Sequence, residues 1–317
     1  MQATENIICT NHLEKRFNGT FAVQGLNLSV PAGVIFGFIG PSGSGKTTTI
    51  RLLTGYYQPT AGEVKVFGKP PNRFTRSDRE KLGYLPQLFS LYPHLTVWEN
   101  INFAASIYGL SFGRKKKLVD ILAFVELDKD HHKLARNLSG GMQRRLSLAT
   151  TLVHEPRLIF LDEPTAGVDP VLRQKFWDYF RSLREEGRTL FITTQYVGEA
   201  AYCDQVGVID RGKLLTVDTP DRLRYRAFGG DLVDLHTAAP LDYSTLDAIS
   251  NLPFVLAYPQ RHDDYRARIL VKEANTDVAA LLDWARGRHL EIKGIEAYSP
   301  PFEDVFVELV KGENVDA

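Results

Sequence analysis

Between Val34 and Ile39 the chain is apolar apart from Gly37, and it then passes directly into Gly40, Pro41, Ser42, Gly43, Ser44, Gly45, Lys46, Thr47 and Thr48. A short, solidly apolar run of this kind is a strand buried on both faces. The residues after it fit G-x-x-x-x-G-K-[ST] and lead into a helix. Buried strand, glycine-rich turn and helix in that order call for a largely parallel sheet covered by helices. The glycines let successive backbone N–H groups turn inward around phosphate oxygens. The helix that follows adds its positive end. Lys46 supplies a point charge to the outer phosphates and Thr47 a hydroxyl to Mg²⁺. Alone, this loop predicts a nucleoside triphosphatase or a kinase.

The rest of the chain keeps alternating strand and helix patterns. Residues 1–30 read as short strands that turn at Asn18-Gly19, and Gly62 to Phe67 alternates as a strand does. Helical spacing covers Thr96 to Tyr108 and Arg114 to Val125, and Ser139 opens a helix toward Val153. Leu158 to Leu161 is a second buried strand. Val171 to Glu186 is an amphipathic helix closed by Gly187, and Thr189 to Thr193 and Gln205 to Ile209 are strands. After Gly229-Gly230 the pattern restarts. Strands at Leu232–His236, Val255–Pro259, Tyr265–Val271 and Glu291–Ala297 enclose helices at Ser244–Leu252 and Thr276–Arg286, and a helix at Phe302–Val310 follows. That order is β-α-β-β-α-β plus a helix, the split βαβ arrangement.

Charge follows the same division. Residues 1–228 carry net +8 and residues 229–317 net −8, an asymmetry expected at a domain boundary. The expected domains are therefore 1–228 and 229–317. An acidic second domain argues against nucleic acid as its partner. No apolar run approaches the ~20 residues that cross a bilayer. The opening stretch has no apolar core, so no signal peptide is expected. Cys9 and Cys203 stand alone, which rules out a disulfide framework. His131-His132 lack neighbours at metal-ligand spacing and read as a surface loop.

Five further segments narrow the chemistry. Leu138-Ser139-Gly140-Gly141-Met142-Gln143 comes before Leu158-Ile159-Phe160-Leu161-Asp162-Glu163-Pro164. Around them stand Leu85-Pro86-Gln87, Ala166-Gly167-Val168-Asp169-Pro170 and Phe17. Ser139 and two glycines at a helix start aim N–H groups and a hydroxyl at an anion. Asp162 closes a buried strand, where a carboxylate is costly unless it meets a cation. Glu163, beside it, can orient an attacking water.

With the phosphate loop, these segments resemble the ATP-binding subunit of ABC transporters over about residues 7–225. The resemblance implies that Glu163, Gln195 and Lys46 are catalytic, and that Thr47, Gln87 and Asp162 serve Mg²⁺. It implies that Phe17 stacks on adenine and that Asp169 lies in the D-loop. Ser139, Gly140 and Gly141 would hold the γ-phosphate of a nucleotide seated in a second subunit's loop. Two positions depart from the family pattern. Met142 replaces a glutamine at a peripheral place, and Gln195 stands where a switch histidine is usual. Glutamine can donate an amide hydrogen bond but cannot titrate, a pattern associated with exporters of the daunorubicin-resistance type. Ser299 to Phe306 is similar to the closing stretch of export subunits that work with ABC-2 permeases. Trp98 falls where the family receives the coupling helix of its membrane subunit, and it reads equally well as core.

The expected fold is α/β: a P-loop NTPase core with a largely parallel sheet, an α-helical signature subdomain around residues 88–150, and a small ferredoxin-like C-terminal domain. The expected activity is MgATP hydrolysis that energises export by head-to-tail dimerisation. The expected partners are an ABC-2 type transmembrane permease and a second ATP-binding subunit, either identical or a close paralogue. The expected place is the cytoplasmic face of the cell membrane. The alternative is a soluble ABC-type ATPase acting on a nucleic-acid or ribosomal complex. A single cassette without inserted coiled coils speaks against that alternative.

Overall fold

The computed structural model describes residues 5–88 and 90–315. Residues 1–4, part of the opening stretch read for a signal peptide, lie outside it, as do Phe89 and residues 316–317. Two compact units meet between Asp218 and Thr219.

The first unit opens with a long hairpin. Strands β1 (Asn6–Phe17) and β2 (Thr20–Pro31) are joined by Asn18 and Gly19 at φ of 48° and 84°. A two-residue hairpin turn needs that pair of left-handed residues. Strand β4 (Ala61–Val66) completes a three-stranded antiparallel sheet, β2-β1-β4. The second sheet takes β3 (Ile35–Ile39), β5 (Leu82–Leu85), β6 (Leu158–Asp162), β7 (Thr189–Thr194), β8 (Gln205–Asp210) and β9 (Lys213–Asp218) in the order β5-β6-β7-β3-β8-β9. All neighbours are parallel except β8 and β9. Every residue of β3, β6 and β7 is buried, as strands covered on both faces require. Register places Asp162 opposite Thr193 and Ile39 opposite Thr194. Three central strands thus end level, at the carboxyl edge where α/β sheets gather ligands.

Helices α1 (Lys46–Leu53) and α6 (Pro170–Glu185) pack on the strands of this unit, and the short α2 (Arg76–Arg79) falls between β4 and β5 along the chain. Helices α3 (Val97–Ile107), α4 (Lys115–Phe124) and α5 (Gly140–Leu152) form a layer with its own core of Val97, Ile101, Leu118, Leu122, Leu146 and Ala149. Thr96 begins α3 with a reciprocal cap: its hydroxyl accepts from the Glu99 N–H while the Glu99 carboxylate accepts from the Thr96 N–H. Trp98 is half-buried and packs on that core.

The second unit holds α7 (Pro220–Phe228), β10 (Asp231–Thr237), α8 (Tyr243–Ser250), β11 (Gln260–Arg261), β12 (Arg266–Val271), α9 (Ala274–Gly287), β13 (Ile292–Tyr298) and α10 (Phe302–Val315). Its antiparallel sheet runs β11-β12-β10-β13. The β-α-β-β-α-β order read from sequence is therefore present. Val255–Pro259 is not a regular strand, however. Val255 makes one isolated bridge to Val271, and regular pairing waits until Gln260. Pro253 stands just before the segment and Pro259 ends it, and neither supplies an N–H to a ladder. Helix α7, unassigned from sequence, packs on α10 and β10. Gly229 is its left-handed C-cap at φ 75°, so the Gly229-Gly230 break ends a helix inside the second unit.

Candidate nucleotide site

The loop between β3 and α1 is held by close backbone approaches. A Cβ on Gly40 would lie 2.1 Å from the Ile209 carbonyl oxygen, and one on Gly45 2.4 Å from that of Ala22. Gly45 also takes φ of 107° and caps α1 without a side chain. The first N–H groups of α1 therefore meet no side-chain acceptor from the cap, which suits an anion. Ser44 is buried, and its hydroxyl has no partner among the described residues. Lys46 is buried too, and its ammonium donates to the carbonyls of Gly40 (2.7 Å) and Pro41 (2.9 Å). Burial holds its pKa below the ordinary lysine value, while Glu163 and Asp162 pull the other way.

Opposite this loop the end of β6 brings in the acids. Asp162 is fully buried. Its Oδ1 accepts from the Thr193 hydroxyl at 2.5 Å and the Thr47 hydroxyl at 3.2 Å. Its Oδ2 has no partner among the described residues. A buried carboxylate with one oxygen unmet, next to a threonine hydroxyl, is a hard-oxygen donor set that fits Mg²⁺. Glu163 turns off the strand at φ of 53°. Its N–H donates to the Thr193 carbonyl at 3.0 Å. Its Oε2 accepts from the Gln87 amide at 3.4 Å, a long contact.

Lys46, Thr47, Asp162, Glu163 and Gln87 are thus brought together by the strand ends. Of the other expected residues, Gly40 and Pro41 meet Lys46 through their carbonyls, while Ser139, Asp169, Gln195 and Phe17 make no side-chain hydrogen bond to this cluster among the described residues. Ser139 is exposed and caps α5, its hydroxyl accepting from the Met142 N–H at 3.3 Å. Gly140 and Gly141 form the first turn of α5, which carries no acidic side chain. Asp169 caps α6 by accepting from the Leu172 N–H at 3.0 Å. Gln195 is exposed just past β7. Phe17 ends β1, 41% exposed, edge-on to Tyr57 at 5.2 Å and under the Lys15 ammonium. Thr48 lies in the first turn of α1, and Pro41, Ser42 and Gly43 are exposed along the loop. His131 binds the Asp128 carbonyl through Nδ1 at 2.6 Å.

Two residues escaped the sequence reading. Thr193 donates to Asp162, but its relevance appears only when β7 pairs with β6. Arg144, buried on α5, donates to the carbonyls of Pro86 (2.9 Å) and Gln87 (3.0 Å), and to those of Asp162 and Glu163. Burial lowers its pKa, against the pull of Asp162 and Glu163. Its one visible signal was an arginine pair, Arg144-Arg145, within a helix that otherwise buries Leu146, Leu148 and Ala149.

Residues 23–166 match the ABC transporter family. The chain is 38% identical over 231 residues to the probable multidrug ABC transporter ATP-binding protein YbhF of Escherichia coli, covering 73% of this chain and 40% of that one. It therefore spans less than half of that relative. It is 32% identical over 302 residues to the daunorubicin/doxorubicin resistance ATP-binding protein DrrA of Streptomyces peucetius, covering 95% of this chain and 91% of the other. Its fold resembles a dimeric, post-hydrolysis ATP-binding cassette bound to ADP and Pi, with TM-score 0.62 and 25% identity over 67% of this chain and 98% of that one.

Proposed function

Since the chain belongs to the ABC transporter family, we propose that it is the ATP-hydrolysing subunit of an exporter, working head to tail with a second cassette beneath a separate ABC-2 type permease. Asp162 carries this reading. A fully buried carboxylate with an unmet oxygen, facing the Thr47 hydroxyl of a phosphate loop, is costly in any role that does not bind a cation there.

Thr47 and Asp162, with Gln87 beside them, would hold Mg²⁺, which when bound neutralises charge on the phosphoryl oxygens. The loop N–H groups and Lys46 bind the phosphates. Glu163 orients the attacking water, with its backbone fixed by Thr193 and its carboxylate touched by Gln87. Ser139 and the first turn of α5 offer a second anion site outside this cluster, which suits the nucleotide of a facing chain.

Export is favoured by the likeness to a daunorubicin/doxorubicin resistance protein. No helix among the described residues is long and apolar enough to cross a membrane, so the cargo path would lie in the permease. A cavity of about 340 Å³ is lined by Arg51, Tyr84, Ser147 and Thr151 together with Tyr56 and Leu88, which are 73% and 80% exposed. Two large side chains left open in one lining would make a fitting seat for a permease helix. The cassette would then sit at the cytoplasmic face of the membrane.

The test is Glu163→Gln, with ATP binding, dimerisation and steady-state turnover measured together. Binding should persist, ATP-bound dimers should accumulate, and turnover should fall at least about a hundredfold. Turnover within a factor of about two of wild type rules out Glu163 as the water-orienting group.

A further inference from the structure

Two loops leave the sheet side by side. One runs from Glu163 through Asp169 into α6. The other runs from Gln195 and Tyr196 into a short 3₁₀ helix, Val197–Tyr202. Glu199, in the second loop, is only 3% exposed. Its Oε1 accepts from the hydroxyl of Thr165, in the first loop, at 2.7 Å; Thr165 is also fully buried. Arg173, in the first turns of α6, brings its Nε to 3.8 Å from the same Oε1. Arg173 Nη2 donates to the Val168 carbonyl at 3.3 Å, and its guanidinium lies 4.8 Å from the centre of the Tyr196 ring. Four residues thus bind the two loops into one network.

The network is not fully closed. Glu199 Oε2 and Arg173 Nε have no hydrogen-bond partner among the described residues. A separation of 3.8 Å is an ion contact and exceeds hydrogen-bond length. Leaving buried charged groups unmet is costly. A relative shift of the loops of about 1 Å would bring Arg173 Nε within hydrogen-bond length of Oε1 and remove its share of that cost. The network therefore holds a contact that a small displacement would tighten, which suits a coupling element.

We propose that Glu199, acting through Thr165 and Arg173, is a positioning residue that joins the loop bearing Gln195 to the loop bearing Asp169, so that the two respond to nucleotide and to the second cassette together. This rests on the head-to-tail ATPase reading. Glu199 does not touch the nucleotide. It transmits the state of one loop to the other, and its charge is what Arg173 responds to.

Glu199→Gln keeps an acceptor for Thr165 and removes the charge, whereas Thr165→Val removes the hydroxyl and keeps the shape. Each is assayed in the full chain for kcat, KM and Hill coefficient with MgATP, for ATP-dependent dimerisation in a Glu163→Gln background, and for Tm. Each variant should lower kcat about tenfold with KM within about twofold, bring the Hill coefficient toward one, and weaken the dimer. The double variant should be no worse than the poorer single one, because both act on one path. A cooperative wild type whose variants remain equally cooperative with unchanged kcat, even if Tm falls, leaves Glu199 a structural tether and overturns the proposal alone. A wild-type chain that turns over ATP without cooperativity or dimerisation removes the head-to-tail reading, and this proposal with it.

Discussion

On the proposed ATPase reading, Gln195 sets how the site responds to pH. It stands exposed after β7, one residue beyond a strand whose Thr193 holds Asp162. A histidine there would change charge and hydrogen bonding near an unperturbed pKa of ~6.5. Glutamine keeps its amide donor throughout. The pH–rate profile at saturating MgATP should therefore show no transition from this position between about pH 6 and 8. Gln195→His should remain active and add a titration in that window. Gln195→Ala should lose ~1–3 kcal/mol of transition-state stabilisation. An alanine variant that follows wild type across the range would make Gln195 a plain loop residue.

Helix α5 ties its own start, capped by Ser139, to the acids at the strand end. Arg144 lies five residues beyond Ser139, roughly 7.5 Å along the axis, and its guanidinium gathers carbonyls from the 86–87 loop and from Asp162–Glu163. Lysine keeps the charge but has no planar fork for several acceptors. Arg144→Lys should cost ~1–3 kcal/mol of unfolding free energy, read by denaturant titration, and slow hydrolysis while leaving ATP affinity near wild type. Unchanged stability together with unchanged turnover would show that the carbonyls find water as readily as Arg144. The same helix shows what sequence can reveal. The readings of Gly40 to Thr48, Ser139 and Asp162-Glu163 drew on neighbours along the chain, which is what a sequence records. Arg144 and Thr193 act on residues that sheet pairing and helix packing bring near, and spacing carries no record of that. Strand β5 was missed because four residues, half of them buried, give too little period to read.

At the scale of the whole chain, the helical layer has a core separate from the sheet, and the second unit has one built on Val233, Leu235, Leu246, Ile249 and Ile269. Residues 219–317 carry 11 basic and 17 acidic side chains, so the charge shift seen in sequence survives the earlier boundary. A chain ending at Asp218 should bind MgATP about as the full chain does. A fragment from Thr219 should fold by circular dichroism, and one from Gly229, lacking α7 and its buried Leu223, should melt at lower temperature. An unfolded 219–317 fragment together with a core that no longer binds nucleotide would show that neither unit stands alone.

Glu163 takes φ of 53°, a left-handed setting that costs a residue with a Cβ about 1–2 kcal/mol. Glycine would shed that cost and asparagine part of it. Selection for heat tolerance alone would therefore drift toward variants that discard the acid. On the proposed role of Glu163, a library screened only for folded, abundant protein would enrich chains that have lost turnover through this codon. Evolving a hardier cassette requires a screen that reads turnover, or a library that leaves position 163 untouched.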